Sequence, residues 1–208
     1  MNWEVGLRYG KAETGTLLEG MFFFNDYSNL SGQCSFSSGC DPDLLDSQFN
    51  AGEVDVLGLE LVAGHTFEAG PVKIPLRLNY TFTKTEFQTA FTSSNPQYGK
   101  VSVGDEMPYV PEHALALNVG VAMERWDAAV SFGITSPMRE SAGSADDDAM
   151  TDIRVTLDIF GRVQVLQWLQ VYAKLENLLA REDITSRRPY GARPNRPLSA
   201  QLGLKLAH

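Results

Sequence analysis

The sequence predicts an all-β chain, an antiparallel meander of about nine strands that forms a segment of a transmembrane β-barrel. Three observations predict it. Apolar and polar residues alternate with a period of two along most of the chain, the pattern of a sheet with one apolar and one polar face. The links between these runs switch regularly between short and long. The runs reach about 9–11 residues, the length of a tilted strand crossing a bilayer, whereas soluble sheets peak near 5–6. A soluble β-sandwich shares the first observation, with its apolar face as core. Strand length, loop asymmetry and a second face rich in Gly, Ala, Thr, Ser and Asn favour the barrel.

Taken in order, residues 3–9 place Trp3, Val5, Leu7 and Tyr9 on one face and Glu4, Gly6 and Arg8 on the other. Residues 15–27 are extended, although Phe22, Phe23 and Phe24 in succession blur their facing. A strand at 57–67 precedes residues 74–83, where Ile74, Leu76, Leu78, Tyr80 and Phe82 oppose Arg77, Asn79, Thr81 and Thr83. Leu115, Leu117, Val119, Val121 and Met123 alternate with small residues and Asn118, and Trp126, Ala128, Val130, Phe132 and Ile134 do the same in the next run. Strands at about 152–162 and 169–177 follow, and the last runs from Leu198 to His208. Short links fall at 11–14, 68–72, 124–125 and 164–168, and long polar ones at 28–52, 88–111, 137–150 and 185–197. Outer-membrane barrels show this asymmetry. Trp3, Tyr9, Phe67, Trp126 and Trp168 fall near strand ends, where aromatic girdles meet the bilayer interface.

Composition narrows the function. With 43% hydrophobic and 21% charged residues the chain is expected to be ordered. A net charge of -9, from 17 Lys+Arg against 26 Asp+Glu, argues against a nucleic-acid partner, which needs clustered basic residues. No apolar run approaches the roughly 18 residues of a membrane helix, so a crossing must use strands. The N-terminal residues show no basic region followed by an apolar core, so no secretory signal is read there. Nine strands cannot close an antiparallel single-chain barrel, and open edges in lipid would orphan backbone groups at several kcal/mol each. The expectation is a piece of a larger barrel.

The final strand carries the sharpest local motif, with Leu198, Ala200, Leu202, Leu204 and Leu206 facing one way and Ser199, Gln201, Gly203 and Lys205 the other. Gly203 and Leu206 match the terminal assembly signal of outer-membrane barrels, with His208 where that signal usually has an aromatic. Further segments are Asn2 to Tyr9, Phe22 to Tyr27, Gly52 to Glu60, Pro108 to His113, Glu176-Asn177-Leu178 and Gly191 to Pro194. In order and spacing these resemble the C-terminal part of a TonB-dependent outer-membrane receptor, most similar to the ferric-dicitrate and iron-siderophore branch. The resemblance covers nearly all of residues 1–208. It implies a barrel of about 22 strands filled by an N-terminal plug behind a TonB box, with neither plug nor box in these residues.

By that resemblance the intact receptor sits in the bacterial outer membrane and imports a ferric siderophore or ferric citrate. Iron travels as a chelate and no cofactor is implied. The implied partners are the chelate, outer-membrane lipid and lipopolysaccharide, the barrel assembly machinery, and the TonB complex through the plug. The rival readings are a porin-like passive barrel and a soluble β-sandwich binding module.

No enzyme is expected. His65 follows the apolar row, His113 sits at a strand entrance and His208 is terminal, so none shares the polar face with a Ser or Asp partner. The candidate ligand contacts are Arg187, Arg188, Arg193 and Arg196, which with Arg181 form a guanidinium cluster suited to an anionic chelate. Alternatively these arginines pair with Asp146, Asp147, Asp148, Glu182 and Asp183, or with lipopolysaccharide phosphates. Neither Asp146 to Asp148 nor Asp41, Asp43 and Asp46 has the spacing of a calcium loop, and no metal site is expected. Cys34 and Cys40 have no zinc spacing and close a short loop as a disulfide in an oxidising compartment, with free thiols the alternative. Glu4, Arg8, Glu60, Arg77, Arg154, Asp158, Lys174 and Glu176 fall on the polar face, as inter-strand ion pairs or plug contacts.

Overall fold

The computed structural model describes residues 1–142, 150–188 and 190–206. Nine strands form one antiparallel sheet in sequence order: β1 (Asn2–Lys11), β2 (Thr16–Tyr27), β3 (Val54–Ala69), β4 (Val72–Phe87), β5 (His113–Ala122), β6 (Trp126–Thr135), β7 (Arg154–Leu166), β8 (Leu169–Glu176) and β9 (Ser199–Leu206). Every neighbouring pair is a hairpin, so short turns collect at one end of the sheet and long loops at the other. The expected strands are all present, but β3 and β4 each run to 16 residues and continue past the apolar band into the loops. Among the described residues, helix is limited to three-residue 3-10 turns.

Register sorts the side chains. On one face Val5, Phe22 and Leu59 lie abreast, as do Leu78, Leu117, Phe132 and Leu157, and at the far side Val171 and Leu204. The triple Phe thereby resolves: Phe22 and Phe24 share the apolar face, while Phe23 turns to the polar one beside Gly58. Gly58 is required there, because a Cβ would meet the Phe23 ring at 2.3 Å and the Phe82 carbonyl at 2.6 Å.

Among the described residues, none forms a second layer over the apolar face. Leu7 is 85% exposed, and Leu202, Leu204 and Leu206 are likewise open. Among the described residues, every buried apolar side chain lies in the long loops or at strand ends that enter them: Cys34, Cys40, Ala51, Val54, Phe87, Val101 and Ala142. A sandwich would bury its sheet face and leave its loops wet, and here the arrangement is reversed. From Phe67 to Leu57 on β3, ten steps of about 3.3 Å tilted by about 40° cover about 25 Å, the height of a bilayer's apolar band. Tyr9, Phe67 and Trp126 mark the short-turn rim of that band, and Trp3, Tyr80 and Phe82 the other.

The long loops are folded rather than open. Ser31–Gln33 pairs with Gln48–Asn50, Phe91–Thr92 with Lys100–Val101, and Ile184–Ser186 with Arg193–Pro194. Leu30, Phe49, Phe91, Tyr98 and Met107 pack against the buried cluster of Ala51, Val54, Phe87, Val101 and Ala142. This crown over the end of the sheet holds the molecule's one cluster of buried apolar residues among those described. β1 and β9 bound the sheet, each hydrogen-bonded to a neighbouring strand on one side only among the described residues.

Candidate functional site at the mouth of the barrel wall

The site lies where the crown meets the polar face. Asn177, which begins the last loop after β8, adopts φ 53°, a left-handed backbone that Asn tolerates better than most residues. Its side chain is buried and ties both arms of the loop, donating to the carbonyls of Arg181 at 2.8 Å and Arg196 at 2.9 Å while accepting from the Arg181 N–H. Its own N–H donates to Asp158 on β7 at 2.9 Å. Asp183, also buried, shares the Arg181 Nε–H between its two carboxylate oxygens and accepts from the Val155 N–H. The Arg181 guanidinium holds the Asp183 carboxyl below the usual carboxylate range, against the opposing effect of burial.

The four candidate arginines divide by environment. Arg187 is half-buried, and its Nη1 donates to Glu140 at 2.9 Å and to the Met150 carbonyl, locking the loop after β6 to the last loop. Arg188 reaches between Gly39 and the Pro96 carbonyl, 3.3 Å from its Nη2, and so bridges three loops. Its Nε is buried without a partner. Arg193 is exposed and donates to the Arg188 carbonyl at 2.8 Å. Arg196 is exposed and holds Glu176 on β8 at 2.6 Å.

Of the acidic partners anticipated from sequence, Asp183 engages Arg181, whereas Glu140 and Glu176 are the carboxylates on Arg187 and Arg196. Asp146, Asp147, Asp148 and His208 lie outside the described residues. Glu140 escaped the sequence reading because nothing at 47 residues' separation ties it to Arg187.

Cys34 and Cys40 are joined, with Cα atoms 5.8 Å apart, and their loop carries the crown's outer contacts. Phe36 meets Tyr190 edge-on at 5.3 Å, and Ser38 accepts from Asn95 across loops. Asp41, Asp43 and Asp46 are exposed, and no group of three or more metal-ligating side chains occurs among the described residues. His65 meets Thr16 at 2.8 Å and His113 meets Tyr80 at 2.9 Å, both on the apolar face.

On the polar face Arg8 pairs with Glu19 at 3.7 Å, and Asp127 with Arg162, both between strands. Glu4 accepts from Asn2, and Glu60 lies abreast of Met21 and Thr81. Glu176 is shared by Lys174, Arg196 and Gln201. Arg77 and Arg154 hydrogen-bond the neutral Asn79 and Thr135, and Arg154 also acts electrostatically on Asp183. A cavity of about 440 Å³ opens on this face beneath the last loop, between β4 and β8.

A family model described as TonB dependent receptor-like, beta-barrel matches residues 1–178. The chain belongs to this family of TonB-dependent receptors. Members are transporters of the outer membrane, built as β-barrels, and not enzymes. Solved TonB-dependent receptors share the fold. The ferric yersiniabactin uptake receptor FyuA of Yersinia pestis superposes with a TM-score of 0.74 at 19% identity, over 99% of this chain and 29% of that one. The ferric-catecholate import receptor Fiu of Escherichia coli K12 gives 0.70 at 18%, over 99% and 27%. The siderophore receptor PiuA of Acinetobacter baumannii gives 0.71 at 18%, over 99% and 28%. The chain thus spans less than a third of the length of these receptors. No curated protein matches it by sequence.

Proposed function

We propose that this chain forms wall and mouth of a bacterial outer-membrane receptor that takes up iron as a ferric siderophore or ferric citrate. The observation that carries this is a crown of long loops, folded around its own apolar core and bearing a cluster of arginines, set over the polar face of a TonB-dependent receptor wall. The kinship with receptors for ferric yersiniabactin and for ferric catecholates supports iron chelates as the cargo. In this reading the crown faces the outside and the short turns face the periplasm, as barrels of this kind are oriented. Arg193 and Arg196, the more exposed pair, offer free N–H groups to an anionic chelate, while Arg187 and Arg188 contribute to the same field and frame the mouth. Iron is cargo here, and energy would reach the wall from a plug domain coupled to TonB.

The test is uptake of radioactive iron by iron-starved cells with and without the receptor that carries this chain. Uptake of at least one ferric chelate should require the receptor and should stop when the proton-motive force is collapsed. Uptake that persists after collapse would identify a passive pore instead.

A further inference from the structure

The cavity on the polar face shares Arg196 with the arginines of the crown and adds a chemistry of its own. Its floor is made of small residues on the central strands: Ala114 and Ala116 of β5 and Gly133 of β6. A Cβ on Gly133 would stand 2.8 Å from Oγ1 of Thr156, its partner on β7, so a larger residue there would crowd the neighbouring strand. These floor residues belong to two cross-strand rows. Thr81, Ala114, Thr135 and Arg154 lie abreast, and Asn79, Ala116, Gly133 and Thr156 form the next row. The last loop closes the far side with Asn195 and Arg196.

The Glu176 oxygens at this cavity are already committed, whereas most N–H groups of Arg154 are open and Asn195 Nδ2 is buried without a partner. Both oxygens of Glu176 are taken, one by Lys174 at 2.7 Å and the other by Arg196 at 2.6 Å and Gln201 at 3.1 Å. Asp158, at the deep end, accepts from the Asn177 N–H and repels an anion from that end. Arg154 makes one hydrogen bond, from Nη2 to the neutral Thr135 Oγ1, and no ion pair among the described residues. A guanidinium has five N–H groups in a planar fork that fits a carboxylate. Arg154 acts on the Asp183 carboxylate through space without a contact ion pair among the described residues, and its remaining N–H groups stay open toward a recess walled by Thr81, Thr135 and Asn79.

We propose that this cavity is a carboxylate-binding subsite, with Arg154 as its principal contact and Thr135 and Arg196 beside it, sized for a small polycarboxylate. At about 440 Å³ it falls in the ordinary range for small-molecule sites. The proposal rests on the reading of this chain as part of a chelate receptor, and narrows the cargo to chelates that present free carboxylates. Two sources present a carboxylate, a dissolved ligand and an acidic side chain of a polypeptide filling the lumen; the dissolved ligand is the source assigned.

The test uses the intact receptor carrying this chain, extracted in detergent, with two iron-free probes of similar size: citrate and its trimethyl ester. Calorimetry should detect citrate and not the ester. Arg154→Gln should weaken citrate binding about 10- to 100-fold, the range for a hydrogen bond to a charged group. Thr135→Val should weaken it a few-fold while leaving all charges in place. Arg125→Gln, the same charge change at an exposed short turn, should leave it unaltered. Citrate binding that is absent, matched by the ester, or insensitive to Arg154→Gln would overturn the subsite. So would a loss of melting temperature in Arg154→Gln with citrate binding unchanged, which would mark an internal acidic residue as the occupant. Citrate binding that passes these tests in a receptor that takes up no ferric chelate would leave the subsite standing and sink the uptake reading. Chelate uptake with no Arg154-dependent citrate binding would do the reverse.

Discussion

Val130 tests the facing of the wall most sharply. It lies on β6 between Val119 and Ile159 on the apolar face, while Ser131, the next residue, lies between Asn118 and Asp158 on the polar one. Four steps of about 3.3 Å at a tilt of about 40° put Val130 about 10 Å from the Trp126 rim, near the middle of an apolar band about 25 Å high. An arginine at that depth on the lipid side costs about 2–4 kcal/mol. Ser131→Arg loses a 2.6 Å hydrogen bond to Asn118, about 1 kcal/mol, and gains Asp158 as a neighbour, so its net effect should stay within about 1 kcal/mol. A third variant separates lipid from a protein core. Val130→Phe should be nearly neutral against fluid acyl chains, whereas extra volume in a packed core costs about 1–3 kcal/mol. Urea titration of the receptor in short-chain phosphatidylcholine vesicles, followed by tryptophan fluorescence, reads all three. A tolerated Val130→Arg with a costly Ser131→Arg would show the faces to be reversed, and a costly Val130→Phe would mean that protein, not lipid, covers the apolar face.

Other expectations concern the crown and the wall. Glu140→Ala strips a buried carboxylate from Arg187 and should lower the stability of the loops by about 1–3 kcal/mol, seen as faster proteolysis between residues 136 and 153. Because Asp183 titrates below its unfolded value, near 3.9, its contribution is fully present above that value and is lost as pH falls through the depressed folded one. Asp183→Asn should therefore flatten the acid limb of a pH–stability curve, and an unchanged limb would remove Asp183 as its source. Gly58→Ala should destabilise the wall by about 1–3 kcal/mol, with only partial rescue by Phe23→Ala because the Phe82 carbonyl still meets the new methyl. Cys34 and Cys40 should resist alkylation until reduced, and opening their loop should cost about 2 kcal/mol in chemical denaturation.

What could be read from the sequence was whatever a period of two encodes. Trp126 to Ile134 announces both faces of β6 without help, and so do Leu115 to Val121 on β5. The ends of β3 and β4 were not legible: Val54, Thr85 and Phe87 look like loop residues, because their partners are one another and the loop core. That core was invisible for the same reason, since Ala51, Val101 and Ala142 come from three separate loops with no common pattern. The ribbons inside the loops are two or three residues long, too short to show alternation. The arginine cluster was visible as composition, but which arginine is locked and which is open depends on Glu140, Pro96 and Glu176 arriving from elsewhere. The cavity depends on Thr81, Thr135 and Arg154 coming abreast from three strands, a matter of register that no local motif records.

The central claim, a membrane-spanning wall with its crown outside, is tested most directly by single-cysteine labelling of intact cells. Ser94→Cys lies exposed in the crown and Ala12→Cys in the first short turn, and the two native cysteines are bonded to each other. A membrane-impermeant maleimide should label Ser94→Cys on whole cells and should label Ala12→Cys only after the outer membrane is permeabilised. Equal labelling of both before permeabilisation, or labelling of Ala12→Cys alone, would contradict it.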